Sequence, residues 1–312
     1  MAATAPRIVE AEPRLFDPAS LTWRINRERI LILGGVRSLL MQIAHPLVAA
    51  GVAEHSGFRA DPLGRLRRTM ETMAVILFGT AAEARGAAAQ LDAIHGRVHG
   101  ILREQAGGFP AGTRYTARDP ELLLWVHATL VDSTMLVYRR FVRELGAAEA
   151  EAYYQESKTI ARLYGIPERL IPRRLCDFRG YVERMLEAGP IAVSATAREL
   201  AAHIVRPAIP MLPALGTAVV SLVSIGLMPP RLRDEFGLTW GPLRQAIVDA
   251  AAFGTRTLLP AVPAAWRVAP AAYAFEQGAG MPAPAGAGGY RRRKRSTVAI
   301  GKRGTPSRAD SA

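Results

Sequence analysis

Apolar residues recur along this chain at the three- and four-residue spacing of helices, and no segment shows the sustained alternation of a strand. The longest helical pattern follows an Asp119-Pro120 pair, which is typical of a helix start because aspartate caps a free amide and proline needs none. Its sequence, PELLLWVHATLVDSTMLVYRRFV, is mostly apolar and predicts a helix in the middle of a bundle. The pattern as a whole predicts an all-α fold.

This long helix also carries polar groups among its apolar residues, namely His127, Thr129, Asp132 and Ser133. A buried helix must satisfy such groups with hydrogen bonds. Their density predicts that the helix forms the wall of a pocket.

Residues 61–100 contain the densest set of chemically useful side chains. An Asp-Pro pair predicts the start of one helix, and Gly79 predicts its end. Thr80, with Glu83 three residues later, predicts a capping box that opens a second helix.

Cationic and imidazole side chains are distributed over these two helices. Arg65, Arg68 and Thr69 lie along one side of the first helix, beside an apolar stripe. The second helix is expected to run through residue 100, with His95 inside an apolar arc. That arc consists of Leu91, Ile94, Val98, Ile101 and Leu102. The spacing therefore predicts an imidazole aimed at the interior.

The segment of residues 36–56 has the spacing of a buried helix, which Pro46 should kink or interrupt. His45 precedes this proline. A lone histidine at such a position is more often a hydrogen-bonded core or cap residue than a ligand, and both roles stay open.

The composition indicates a globular protein of the cell interior. With 49% apolar residues the chain can bury a sizeable core, and its single cysteine, Cys176, excludes an internal disulfide and cysteine-rich metal centres. No long apolar run opens the chain, so we expect no signal peptide and a cytoplasmic location, with membrane association left open.

The net charge of +13 is concentrated at the C-terminus, where the last 22 residues carry +7. There RRRKRS follows a stretch of Gly, Ala and Pro, so residues 278–312 are predicted to be a disordered basic tail. Residues 1–22 are predicted to be an N-terminal arm, and residues 23–277 the folded domain. The tail lacks interleaved aromatic residues apart from Tyr290, which argues against nucleic acid as a partner.

Residues 207–228 carry no charge and are long enough to span a bilayer. Their prolines, glycines and hydroxyl residues suit a buried helix, or one that rests on a membrane surface, equally well. Peripheral membrane contact through this segment is one expectation.

The common catalytic motifs HExxH, GxGxxG, GxSxG and the Walker loop do not occur in the sequence. His95 could form a two-ligand pair with Asp92 or with His99, but neither pair has a third partner at metal-site spacing. Three interpretations stay open: a haem protein, a non-enzymatic all-α scaffold or lipid-binding protein, and a histidine-metal hydrolase.

Three motifs in a fixed order narrow this choice. They are Arg65-Leu-Arg-Arg68-Thr69, Ile94-His95-Gly-Arg-Val98-His-Gly100 and Trp125-Val-His127-Ala-Thr-Leu-Val-Asp132-Ser133. With the flanking stretches LLMQIAHPLVAAGVAEHSGF and YYQESKTIARLYGIPERLIP, they resemble the MpaB/rubber oxygenase family over most of the chain.

The resemblance implies a globin-like multi-helix bundle that encloses a b-type haem. The implied activity is oxidative cleavage of double bonds in an apolar, isoprenoid-like substrate with dioxygen. By position, His95 matches the family's proximal iron ligand. Arg65 and Thr69 match its Arg-x-x-Lys-Thr motif, and His127 matches a further histidine near the haem.

Arg68 departs from this family pattern, because it stands where the motif has a lysine that can cap the distal iron. An arginine stays protonated and has no lone pair to offer a metal. The catalytic set implied by the resemblance is therefore Arg65, Arg68, Thr69 and His127, around a distal side that is open or occupied by water.

Overall fold

The computed structural model describes residues 12–55, 62–205 and 214–277, without the side chains of residues 62–67, 214 and 215. These ranges are mostly helical, which confirms the all-α fold class. The helices are α1 (Leu21–Asn26), α2 (Leu33–Ile43), α3 (Pro46–His55), α4 (Pro62–Phe78), α5 (Ala81–His95), α6 (Pro120–Phe141), α7 (Ala147–Leu163), α8 (Leu175–Glu187), α9 (Ala195–Ile204), α10 (Ala214–Gly226), α11 (Pro230–Glu235), α12 (Pro242–Leu258), α13 (Ala264–Arg267) and α14 (Pro270–Glu276). Two 3-10 turns cover Arg29–Ile32 and Leu259–Ala261, and strands β1 (His99–Ile101) and β2 (Arg114–Thr116) form an antiparallel hairpin.

The long helix α6 lies at the centre of the fold, where it packs along α2 and also contacts α7 and α12. Asp119 caps its first turn by accepting a hydrogen bond from the amide of Glu121 at 2.8 Å. Trp125 is fully buried, and its indole N–H donates to the main-chain oxygen of Met41 at 3.1 Å. The central helix predicted from the apolar pattern is confirmed.

The polar groups of α6 are satisfied by side chains of α2. Arg37 is 5% exposed, donates from Nη1 to Ser133 Oγ at 2.6 Å and forms an ion pair with Asp132 at 2.7 Å. Gln42 Nε2 donates to Thr129 Oγ1 at 3.1 Å. These three α6 residues, expected to line a pocket, instead lie in a polar helix–helix interface, because α2 supplies matching donors.

The interruption predicted at Pro46 is a bend of 105° between α2 and α3. His45 lies buried at the bend, and its Nδ1 accepts a hydrogen bond from the amide of Leu47 at 3.3 Å. Burial lowers the pKa of His45 to about 4, against a smaller opposing effect of Asp119. His45 is therefore a neutral residue that caps α3, one of the two roles that its sequence position allowed.

We expect His45 to make the fold sensitive to acid. Between its ordinary pKa of 6.5 and its folded value of about 4, only the unfolded state binds a proton at this site. The contribution of neutral His45 to the free energy of unfolding is complete above pH 6.5. It falls as the pH drops toward 4, and about 2 kcal/mol of it is lost by pH 5. Urea unfolding of wild type and His45→Asn at pH 7.5 and pH 5 measures this, because asparagine caps without titrating. Equal losses in both proteins would contradict it.

The hairpin β1–β2 corrects the prediction that a helix runs through residue 100. α5 ends at His95, and β1 pairs with β2 so that His99 lies opposite Thr116. Ile94 and Ile101, expected on one buried arc, are 49% and 53% exposed. The apolar spacing in this stretch therefore does not describe a single helix face.

Contacts with a distant segment explain why a strand forms there. The buried Tyr115 of β2 donates a hydrogen bond from its hydroxyl to Glu54 at the end of α3. Gly100 crosses this hydroxyl so closely that a Cβ would lie 2.7 Å from its oxygen. Non-local packing of this kind overrides local helical periodicity.

The described part of the predicted N-terminal arm, residues 12–20, lies against α4. Phe16 is buried in a cluster with Ile76 and Phe78. Arg14 donates to the carbonyl of Phe78 and places its guanidinium 3.8 Å from the ring centroid of Phe275. The arm boundary at residue 22 stays a prediction.

Helix α10 covers most of the described part of the charge-free segment 207–228, of which residues 207–213 lie outside the described ranges. It packs against α2 and α12, and Ser224 Oγ donates to the carbonyl of Leu33 at 2.7 Å. Over the described ranges no single helix is long and apolar enough to cross a membrane; α2 and α3 reach that composition only as a bent pair.

Candidate functional site

Helices α4 and α5 pack against each other across a short link that the sequence predicted. The amide of Thr80 donates to Glu83 Oε2 at 2.8 Å, and the amide of Glu83 donates to Thr80 Oγ1 at 3.2 Å. This capping box is confirmed, and the start of α4 at Pro62 agrees with the predicted Asp-Pro signal.

His95, the last residue of α5, is half-buried in the wall of a cavity of about 140 Å³. Three helices position the lining, which is polar and apolar in near-equal parts. It consists of Ala88, Leu91, Asp92 and His95 from α5, Leu123 from α6, and Leu163, Tyr164 and Gly165 at the end of α7. The fold therefore holds one imidazole at the edge of a small cavity with a mixed lining.

An ion pair fixes the last turn of α5 beside this imidazole. Arg118, in the loop before α6, donates to both carboxylate oxygens of Asp92, at 2.9 and 2.7 Å, and to its carbonyl at 3.2 Å. Gly96 makes room for it, since a Cβ there would lie 2.8 Å from the guanidinium carbon. Asp92 is thus engaged by arginine, rather than forming a metal pair with His95.

The His95 ring is held in its neutral form. Its pKa is lowered chiefly by burial; Asp92 opposes this and Arg118 adds to it. A neutral imidazole keeps a lone pair on one ring nitrogen, which is the form that binds a metal.

Tyr164 closes the cavity on the side of α4. Burial raises its pKa to about 12, so the phenol stays protonated, and it donates to Met73 Sδ at 3.4 Å. The phenol is therefore a structural donor and not a base at neutral pH.

His127 lies buried on α6, one helical turn after the cavity residue Leu123. Burial lowers its pKa to about 4, so it is also neutral. Since residues four apart share a helix face, His127 extends the side of α6 that meets the cavity.

The arginine and threonine of the first motif lie elsewhere. Arg68 and Thr69 are exposed on α4, and the carbonyl of Arg68 accepts a hydrogen bond from Thr72 Oγ1 at 2.8 Å. The side chain of Arg65 lies outside the described part of the structure. The cavity lining includes neither Arg68 nor Thr69. Among the motif side chains that the structure describes, it therefore brings only His95, and by its position on α6 His127, toward the cavity.

Two site residues were not singled out from the sequence. Arg118 is separated from its partner Asp92 by the β-hairpin, and nothing local marks it. Tyr164 precedes a glycine with φ of +77° that ends α7. A Tyr-Gly pair after a helix indicates a turn, but not that the ring faces a cavity.

The side chains around the cavity suit a haem better than a metal ion that several protein side chains would have to bind. A haem needs one axial imidazole and an apolar contact for its ring. In the part of the chain that the structure describes, no three His, Cys, Asp or Glu side chains are grouped so that they could hold an ion. The cavity of about 140 Å³ is smaller than the roughly 300–1,000 Å³ of typical ligand pockets. Haem binding would therefore require the cavity to widen.

Comparison with known proteins gives one family. Residues 22–257 match the model described as "ER-bound oxygenase mpaB/B'/Rubber oxygenase, catalytic domain". Uncharacterised proteins of Mycobacterium bovis and Mycobacterium tuberculosis are each 27% identical over 221 residues, which cover 67% of this chain and 80% of the relative. No solved structure matches.

Proposed function

Because this chain belongs to the ER-bound oxygenase mpaB/rubber oxygenase family, we propose that it is a haem b-dependent oxygenase acting with dioxygen on an apolar, isoprenoid-like substrate. Membership supports an oxidoreductase of the oxygenase type. The haem part of the proposal is carried by the imidazole of His95, whose pKa is lowered by burial and which lies in the wall of a cavity lined in part by leucines.

In this proposal His95 would hold the haem iron, and the haem would supply the activation of dioxygen when bound. Asp92 and Arg118 fix the last turn of α5 and so set the direction of the imidazole. The cavity side chains of Leu91 and Leu123 exclude water from the same space.

The remaining motif residues are assigned by their chemistry. Arg65 would neutralise a propionate or polarise dioxygen, and Thr69 would hydrogen-bond near the iron. Thr69 is exposed here and does not line the cavity of His95, so this role also requires the cavity to widen. His127, buried and neutral, would orient a neighbouring group or a water molecule. Arg68 would contribute a permanent positive charge on the distal side.

The proposed substrate class rests on the family resemblance. Cleavage of a carbon–carbon double bond is the finer part of the proposal. Apolar substrates dissolve in membranes, and peripheral contact through residues 207–228 would give access to them.

The absorption spectrum of the purified full-length protein tests the cofactor. We expect a Soret band and about one haem b per chain by the pyridine haemochrome assay. A colourless protein that takes up no added haemin would overturn the haem assignment. The scaffold and histidine-metal hydrolase interpretations would then stay open. A metal analysis of the purified protein would separate them, because only the hydrolase contains a bound metal ion.

We expect the wild-type haem protein to bind imidazole freely, because the guanidinium of Arg68 cannot ligate iron. Arg68→Lys should keep its haem content. It should acquire a nitrogen-ligated, low-spin spectrum only if the widening that admits haem brings residue 68, exposed on α4 here, beside the iron, where a desolvated lysine can lose its proton. Absorption titrations with imidazole compare the two proteins. A wild-type spectrum that is already low-spin and indifferent to imidazole would contradict this and indicate His127 or His45 as a sixth ligand.

A further inference from the structure

Helix α12 is apolar on two opposite faces. Its inner face buries Val248 and Ala252 in a cluster with α6 and α10. At 3.6 residues per turn, the outer face spans an arc of about 140°. That arc consists of Leu243, Ala246, Ile247, Ala250, Phe253, Gly254, Thr257 and Leu258. It contains no charged residue, whereas a surface helix normally places charges there.

The large side chains on this outer face are exposed. Leu243 is 76%, Ile247 47%, Phe253 75% and Leu258 66% exposed, and Trp266, shortly after the helix, is 76% exposed. Single exposed apolar residues need no explanation, but four on one helix face form a patch. The apolar arc contains one polar side chain, Thr257, and its hydroxyl donates a hydrogen bond to the carbonyl of Phe253 in the same helix at 2.9 Å.

Basic side chains border the outer face on both sides. Arg244 and Arg256 lie about 100° and 140° from Leu243 in opposite directions around the helix, and both are exposed. Asp249, the acidic residue of α12, is neutralised by an ion pair with Arg140. Arg256 lies 3.5 Å from Glu144, an exposed carboxylate that also pairs with Arg139. The apolar arc is therefore bordered by two arginines, of which Arg256 is partly neutralised by Glu144.

We propose that the outer face of α12 is a docking surface for a lipid bilayer that contains anionic lipids. A helix that lies in a membrane interface inserts its apolar face among acyl chains, and basic residues at its borders meet the lipid phosphates. The +7 charge of the last 22 residues adds attraction of the same sign. This surface is distinct from residues 207–228, and the proposal does not depend on haem.

Charge argues against a second copy of this chain as the occupant. A twofold contact through this face would bring arginines of like charge together, because Arg244 and Arg256 border it in both copies. Like charges across an interface suppress association, whereas anionic lipid headgroups attract both arginines.

Vesicle co-sedimentation of the full-length protein tests this proposal. The probes are vesicles of phosphatidylcholine alone and of phosphatidylcholine mixed with phosphatidylglycerol. We expect wild type to bind the mixed vesicles, and Leu243→Ser/Phe253→Ser/Leu258→Ser to lose at least roughly tenfold in apparent affinity. Arg244→Gln/Arg256→Gln should weaken the dependence on phosphatidylglycerol, while the +7 charge of the last 22 residues keeps part of it. Ile101→Ser, which changes an isoleucine on the hairpin that is 53% exposed, should bind like wild type.

The outcomes separate the possible occupants. Unchanged vesicle binding in the triple serine variant, with an unchanged thermal melt, would overturn the assignment of α12. Failure of wild type to bind vesicles would also overturn it; a dimer in light scattering that the triple variant abolishes would then assign the face to a second copy. Haem content is measured in every variant, so failure of the haem assignment is seen independently.

Discussion

His95→Ala is expected to purify with roughly tenfold less haem, or less still, than wild type, while keeping its helical content. A haem held by one axial imidazole loses its only protein–iron bond in this variant. The fold should survive, because His95 is a half-buried residue at a helix end, outside the clusters of buried apolar side chains. The measurements are pyridine haemochrome for haem and far-ultraviolet circular dichroism for helix content.

His99→Ala is the matched control. His99 is an exposed histidine four residues away, and its contact with His55 uses its main-chain oxygen, at 3.0 Å. Its haem content should equal that of wild type. Full haem retention in His95→Ala would move the ligand role to His127, the other neutral imidazole on the cavity side of α6.

Arg37→Met should lower the free energy of unfolding by about 3–5 kcal/mol. The substitution leaves Asp132 without its ion-pair partner and removes the donors to Ser133 Oγ and to the carbonyl of Leu227. The loss is costly chiefly because the buried Ser133 hydroxyl and the carbonyl of the buried Leu227 lose their donor while they stay desolvated; Asp132, 29% exposed, keeps part of its contact with water. Urea unfolding at neutral pH measures the loss.

Arg162→Met is the control for this stability prediction. The ion pair of Arg162 with Glu168 has similar lengths, 2.8 and 2.9 Å, but both side chains are exposed. Exposed pairs contribute less than about 1 kcal/mol. Comparable losses in the two variants would show that the Arg37 network does not hold α2 against α6.

Features that depend on neighbouring residues were predictable from the sequence. The capping box of Thr80 and Glu83, the start of α6 at Asp119 and the interruption at Pro46 each follow from local backbone chemistry. Family membership was predicted from ordered motifs, and the family match confirms it.

Features that depend on distant partners were not predictable. The end of α5 at His95 is set by the hairpin, which Tyr115 anchors to Glu54 on a separate helix. The polar residues of α6 indicated a pocket, because the sequence does not show that Arg37 lies opposite them. The outer face of α12 was hidden for another reason: the helix has an amphipathic period, but the sequence does not show that its apolar arc faces away from the core.

The partners of α2 lie far along the chain, and this determines the order of assembly during synthesis. Arg37 donates hydrogen bonds to Ser133, which lies 96 positions later, and to the carbonyl of Leu227, which lies 190 positions later. A ribosome adds roughly 5–20 residues per second, so α2 emerges roughly 10–40 s before its last partner exists. Until α6 is synthesised, roughly 5–20 s after α2, the apolar face of α2 lacks the helix against which it packs most extensively. Nascent-chain binding by chaperones should therefore concentrate on residues 33–55.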